Sequence, residues 1–253
     1  MDLGIAGRAA IVCASSKGLG RACATELARA GCRVVINGRD AATAERTAAE
    51  IRAETGAEIV VVVGDLNESS VREALFAACP EPDILVNNNG GPPPREFEAV
   101  SRDDILKGVE ANMITPIMLA KRALPGMAAR GFGRIINMTS GTVRAPVARL
   151  DVSSGARAGL TAFLASAARR YAAHNVTINS IQPGLFETDR VKQLFGGDAG
   201  AAARAARQEA IPAARTGRPE EFGKLCAFLA SAHAGYIVGQ NILIDGGSFP
   251  GAF

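Results

Sequence analysis

The sequence predicts one doubly wound α/β domain with a seven-stranded parallel sheet flanked by helices. Three observations predict it. Short apolar runs alternate with longer amphipathic segments along the 253 residues, which is the rhythm of repeated β-α units. Several runs, Val60-Val61-Val62-Val63 most clearly, are β-branched and apolar without alternation, as strands covered on both faces must be. A glycine-rich turn, Ser15-Ser16-Lys17-Gly18-Leu19-Gly20, joins the first such run to the first amphipathic segment.

The elements follow in order. Strand Ala9–Ala14 leads into helix Gly18–Ala30, which stops at Gly31, a residue suited to a helix C-terminus. Strand Arg33–Asn37 is followed by helix Ala41–Thr55, ending at Gly56, and strand Glu58–Val63 by helix Glu68–Ala78, stopping before Pro80. After strand Ile84–Val86, Ser101 caps a helix whose first turn carries Asp103 and Asp104, with Asn112 expected mid-helix. Strand Arg134–Met138 precedes the Ala-rich helix Val152–Ala173. Strand Thr177–Ile181 precedes a long insertion of about residues 184–218 that reads as a lid. Helix Pro219–Ala232, with Pro in its first turn, and strand Ile242–Ile244 complete one domain spanning residues 1–253. The expected strand order is 3-2-1-4-5-6-7, with the ligand at the carboxyl ends, where the order reverses between strands 1 and 4.

Composition narrows the function. With 28 basic against 25 acidic residues, scattered Arg, 5% aromatics and no Trp, neither a nucleic-acid footprint nor a base-stacking platform is present. No apolar run reaches a membrane span and no export signal opens the chain. Five cysteines, Cys13, Cys23, Cys32, Cys79 and Cys226, form no C-x-x-C pair, which fits a reducing, cytoplasmic setting. His174 and His233 are isolated, so no metal site is expected.

A glycine-rich turn opening a helix lets backbone N–H groups approach a diphosphate, and the helix dipole favours the charge. Strand 2 ends Asn37-Gly38-Arg39. An acidic residue there would suit a ribose 2′-hydroxyl, whereas Arg39, with Lys17 nearby, suits a 2′-phosphate. NADP(H) is therefore expected in preference to NAD(H).

Cys13 through Gly20 resembles the Thr-Gly-x-x-x-Gly-x-Gly turn of the short-chain dehydrogenase/reductase family, with Cys13 for Thr and Ala14 for the first Gly. One methyl group at Ala14 is compatible with the turn if φ is negative there. Asn87-Asn88-Asn89-Gly90 resembles Asn-Asn-Ala-Gly, with Asn89 for Ala. Pro183-Gly184 with Thr188, and Gly239-Gln240 through Asp245-Gly246-Gly247, match further family motifs, so the similarity runs from about residue 7 to 250. The resemblance implies a Rossmann-type domain and coenzyme contacts from Ser15, Ser16, Lys17, Gly18, Leu19, Gly20, Arg39, Asp65, Leu66, Asn88, Gly90, Pro183, Gly184 and Thr188. It also implies a small carbonyl or alcohol substrate and a homotetramer or dimer.

The same resemblance places Asn112 and Ser140 in an active site and exposes a departure. Thirteen residues after Ser140 the family has Tyr and this chain has Ser153; four further on the family has Lys and this chain has Arg157. A serine hydroxyl is a far weaker acid than a phenol, and guanidinium is a poor base. Arg157 still suits a ribose hydroxyl, a phosphate or a developing oxyanion. Four readings stay open: an NADP(H)-dependent, 3-oxoacyl reductase-like oxidoreductase with altered proton handling; a coenzyme-binding module with little turnover; a lyase-type chemistry like that of haloalcohol dehalogenases; and a structural role in which Ser153 and Arg157 cap and solvate the helix. Of the third, the haloalcohol dehalogenases differ in the pattern of motifs: they keep the Tyr and lose the glycine-rich turn, the reverse of this chain.

Overall fold

A computed structural model describes residues 1–189, 191, 205–206 and 208–251. The elements are β1 (Ala9–Val12), α1 (Gly18–Arg29), β2 (Arg33–Gly38), α2 (Ala41–Thr55), β3 (Ile59–Val63), α3 (Ser69–Ala78) and β4 (Ile84–Asn87). There follow α4 (Arg102–Val109), α5 (Thr115–Ala129), β5 (Gly133–Met138), α6 (Asp151–Tyr171), β6 (Val176–Pro183), α7 (Pro219–Ala230) and β7 (Asn241–Ile244). The strands form one parallel sheet in the order β3-β2-β1-β4-β5-β6-β7, as expected.

Alternation along each strand fills two cores. Val12, Ile36, Val86 and Ile136 face Leu27 of α1, Ile51 of α2 and Phe222 of α7. Their neighbours Ile11, Val35, Leu85 and Ile135 face Leu75 of α3, Leu119 and Met127 of α5 and Leu160 of α6. Each strand is therefore apolar on both sides, which is why its sequence shows no polar alternation. Helix ends follow local chemistry. Asp40 accepts the Thr43 N–H at the start of α2 at 2.8 Å, Gly56 closes α2 at φ +70°, and Ser101 forms a reciprocal cap with Asp104 at the start of α4.

Three local expectations are corrected. β1 ends at Val12 rather than Ala14, because Ala14 takes a left-handed φ of +44° that turns the chain out of the sheet. The condition of a negative φ at Ala14 therefore does not hold. Asn112 does not lie in regular α-helix: residues Glu110–Ile114 form one π-helical turn between α4 and α5. Helix α5 is absent from the elements read above, since Pro125 sits inside it and most of its residues are apolar. Of the insertion 184–218, residues 190, 192–204 and 207 lie outside the described residues. The described remainder includes a parallel bridge between Phe186 and Gly217.

Candidate active site at the carboxyl edge of the sheet

The turn after β1 is anchored by two buried polar residues. Ser15 donates its N–H to the Asn37 carbonyl at 2.7 Å and its Oγ–H to the Val12 carbonyl at 2.6 Å, and its Oγ accepts the Asn37 N–H at 3.0 Å. Asn37 Oδ1 accepts the Ala14 N–H at 3.2 Å, and its Nδ2 donates to the carbonyls of Val62 and Gly64. One asparagine thus ties together the carboxyl ends of β1, β2 and β3. Ser15 is wholly buried with its hydroxyl engaged on both sides, whereas Ser16, Lys17, Gly18 and Leu19 are at least partly open.

Glycine is required at two points of this turn. Gly18 has φ +56°, and a Cβ on Gly20 would lie 2.4 Å from the Ala14 carbonyl oxygen and 2.9 Å from Asn88 Nδ2. Asn88 Nδ2 donates to that same carbonyl at 3.1 Å, pinning the turn to the end of β4. Burial pushes the Cys13 thiol up to about 12, against a lowering hydrogen bond from the Asn88 backbone, so Cys13 behaves as a small apolar residue.

Lys17 and Arg39 are both exposed. Asp40, next to Arg39 in the chain, is held below the usual carboxylate range, first by its hydrogen bonds to Thr43 and then by the charges of Lys17 and Arg46. Lys17 and Arg46 therefore both act on Asp40 just beyond β2. Asp65 Oδ1 accepts the Asn67 N–H at 2.9 Å, while the Leu66 side chain is buried among the helix-side core.

Thr188 approaches the turn from the opposite side, its Cγ2 lying 3.6 Å from where a Gly18 Cβ would be. Gly184 donates its N–H to the Ile244 carbonyl at 2.9 Å. The Pro183 carbonyl faces Gly141, next to Ser140. The motifs after β1, β5 and β6 thus meet at one edge of the sheet.

Ser140 Oγ accepts two hydrogen bonds from Thr142, from its N–H at 3.2 Å and its Oγ1–H at 3.0 Å. Asn112 is 2% exposed; its Nδ2 donates to the carbonyls of Gly90 and Gly108 at 3.4 Å each, and its Oδ1 has no protein partner. Arg157 is 8% exposed. Its Nε donates to Ser153 Oγ at 3.2 Å, Nη1 to the Met138 carbonyl at 2.6 Å and Nη2 to the Asn89 carbonyl at 3.3 Å. Asn112, Arg157, Met138 and the run Asn87–Asn89 line one small pocket. Of the four candidates, Asn112 and Arg157 share this pocket and Ser153 joins them through Arg157 Nε, whereas Ser140, just beyond β5, is bonded to Thr142 and does not line the pocket. Sequence reading missed Asn37 and Thr142, whose roles depend on partners 22 residues away or on a local hydroxyl geometry.

Among the described residues no cluster of His, Cys, Asp and Glu is arranged to hold a metal ion. All five cysteines are buried and unpaired, and among the described residues no helix is long and apolar enough to cross a membrane.

Comparison with known proteins fits this geometry. A family model described as enoyl-(acyl carrier protein) reductase matches residues 13–248. The chain is 33% identical over 252 residues to the NADPH-dependent reductase BacG of Bacillus subtilis, covering 95% of this chain and 97% of the relative. It is 32% identical over 261 residues to the 3-oxoacyl-[acyl-carrier-protein] reductase FabG of Aquifex aeolicus, covering 98% of this chain and 100% of the relative. The crystal structure of a 3-oxoacyl (acyl-carrier-protein) reductase from Agrobacterium tumefaciens with NADP bound superposes with a TM-score of 0.90 at 29% identity, covering 97% of this chain and 95% of that one. The glycine turn, the sheet order and these full-length similarities together establish that the chain belongs to the short-chain dehydrogenase/reductase family.

Proposed function

We propose that the chain is an NADP(H)-dependent oxidoreductase for a carbonyl/alcohol pair, 3-oxoacyl reductase-like, with proton handling unlike the family pattern. The observation that carries the coenzyme is the turn at Gly18 and Gly20: a Cβ at Gly20 would occupy space 2.4 Å from the Ala14 carbonyl, at the N-terminus of α1. The relatives, two of them 3-oxoacyl reductases and one with NADP bound, support the reaction class.

The residues fit the dinucleotide. Ser15 supports the turn; Ser16, Lys17, Gly18, Leu19 and Gly20 would hold the diphosphate. Lys17 and Arg39 would hold a 2′-phosphate, which favours NADP(H) over NAD(H). Asp65 and the backbone of Leu66 would border the adenine; Asn88, Gly90, Pro183, Gly184 and Thr188 would border the nicotinamide half. When bound, NADPH supplies the hydride.

Ser140 is the hydroxyl best prepared to meet a substrate oxygen. It accepts twice from Thr142, and an oxygen that accepts donates its own proton more strongly. Asn112 and Ser140 orient that oxygen. Ser153 and Arg157 stand where the family has Tyr and Lys. Arg157 presents charge to a ribose hydroxyl or an oxyanion without giving up a proton. The test is NADPH absorbance with a panel of ketones, β-ketoacyl thioesters and aldehydes. Oxidation with any of them carries the reading; binding without oxidation across the panel overturns the turnover.

One observation favours a second reading, a coenzyme-binding module with little turnover. Three donors of Arg157 are engaged by Ser153 Oγ and the carbonyls of Met138 and Asn89. A dehalogenase-like lyase chemistry ranks third, since the glycine turn is present and the Tyr is not.

Homo-oligomer formation, as dimer or tetramer, is supported by exposed Ile105 and Leu106 on α4, Met118 on α5 and Phe163 on α6. Light scattering after size exclusion reads it directly. Five unpaired thiols support cytoplasmic residence. The segment about 184–218 is proposed as the lid over the substrate.

A further inference from the structure

A polar strut runs from the adenine-side loop to the π turn through Asn67, Asn89 and Thr115. Asn67 lies two residues beyond Asp65. Its Oδ1 accepts from Asn89 Nδ2 and from Thr115 Oγ1, each at 3.2 Å. Asn89 Nδ2 also donates to the Ala111 carbonyl at 3.2 Å, the residue preceding Asn112 in the π turn. Asn89 Oδ1 accepts the Gly90 N–H at 2.9 Å. Its main-chain carbonyl receives Arg157 Nη2 at 3.3 Å.

The side-chain amide thereby makes three of its four possible hydrogen bonds. Its two N–H bonds go to two acceptors and its oxygen to one donor. Flipping it would set N–H against N–H at Gly90 and oxygen against oxygen at Asn67, so one orientation is fixed. Alanine, which the family pattern has at this position, makes none of these side-chain bonds. Asn89 is thus a departure that physically joins three places: the loop after β3, the turn holding Asn112, and the carbonyl that seats Arg157.

We propose that Asn89 is a positioning residue that couples occupancy of the adenine end to the placement of Asn112 and Arg157 at the reactive end. The proposal rests on the dinucleotide reading given above. Binding at the loop of Asp65 and Asn67 stiffens Asn67; through Asn89 the π turn then opens less often.

The test uses adenosine 2′,5′-bisphosphate, which carries the adenine and a 2′-phosphate but no nicotinamide, and hydrogen exchange of the full chain. In the unmodified protein the fragment slows amide exchange across residues 110–115 by about tenfold. In Asn89→Ala the fragment still binds, and the slowing falls below about twofold. Asn67→Ala breaks the strut from its other end, shows the same loss, and carries the test if Asn89→Ala does not fold. Equal slowing in unmodified and variant chains, or none in the unmodified chain with fragment bound, overturns the strut alone. Failure of the chain to bind either the fragment or NADPH overturns the dinucleotide reading and the strut with it.

Discussion

Arg157 and Met138 are joined by a hydrogen bond of 2.6 Å from guanidinium Nη1 to the main-chain carbonyl, which staples α6 to the end of β5. The same guanidinium reaches Asn89 at the loop after β4, so one buried side chain spans three elements at the reactive edge.

That staple predicts a stability cost. Arg157→Ala leaves the Met138 and Asn89 carbonyls without this donor, at a cost of about 2–3 kcal/mol. In a chain of this size that lowers Tm by roughly 5–10 °C. Arg157→Lys, which keeps one charged donor, should lose less than half of that. Thermal melts of both variants decide it.

The proposed departure from Tyr and Lys at Ser153 and Arg157 predicts a gain of activity. Ser153→Tyr combined with Arg157→Lys restores an acid of tunable pKa beside an amine, and is expected to raise reduction of a β-ketoacyl thioester by about 10²-fold. Steady-state kinetics check this. No gain in the double variant would locate the proton donor elsewhere, with Ser140 and Thr142 first in line.

Strain at Ala14 predicts a stabilising substitution. Its φ of +44° disfavours any side chain, and Ala14→Gly removes the strained Cβ at the position where the family carries glycine. The relief, less the extra freedom of glycine in the unfolded chain, should be about 1 kcal/mol. Urea denaturation at constant m measures it, and NADPH affinity should hold or improve.

The proposed 2′-phosphate contacts of Lys17 and Arg39 predict coenzyme choice. Lys17→Ala and Arg39→Ala should each weaken NADPH binding by about tenfold while leaving NADH within about twofold, and both losses should shrink in high salt. Fluorescence titration of both coenzymes at two ionic strengths checks it. Tighter binding of NADH than NADPH by the unmodified chain would refute the preference.

Glu221 predicts part of the acid limb of stability. Arg215, hydrogen-bonded to it at 2.6 and 2.8 Å, and the Arg218 N–H at 2.8 Å hold its carboxyl down to about 2 from an ordinary 4.5. The folded chain thus binds this proton less readily than the unfolded chain. The contribution is full above pH 4.5 and is lost as pH falls toward 2. Glu221→Gln should flatten the decline of Tm across that window and leave the slope near neutral pH unchanged.

The strands and helices were legible because their causes are local. Val60 through Val62 contributes to both cores, with Val63 exposed at the end of the edge strand, Gly31 and Gly56 end helices by their own conformations, with φ of +82° and +70°, and a glycine turn marks the first β-α crossing. The need for glycine at residues 18 and 20 was likewise legible from their place after a strand. The proposed departure at residues 153 and 157 rests on spacing alone.

What those two residues touch was decided by tertiary structure. Arg157 finds acceptors 19 and 68 residues away, and Asn89 finds Asn67 and Ala111, each 22 away. Likewise, the left-handed turn at Ala14 is held by Asn37, 23 residues on. Patterning along a chain records which side of an element is buried, because burial repeats with the element's period. It carries no record of which distant carbonyl a donor will meet, because that depends on how separate elements stack, and the reactive edge of this protein is built from such meetings.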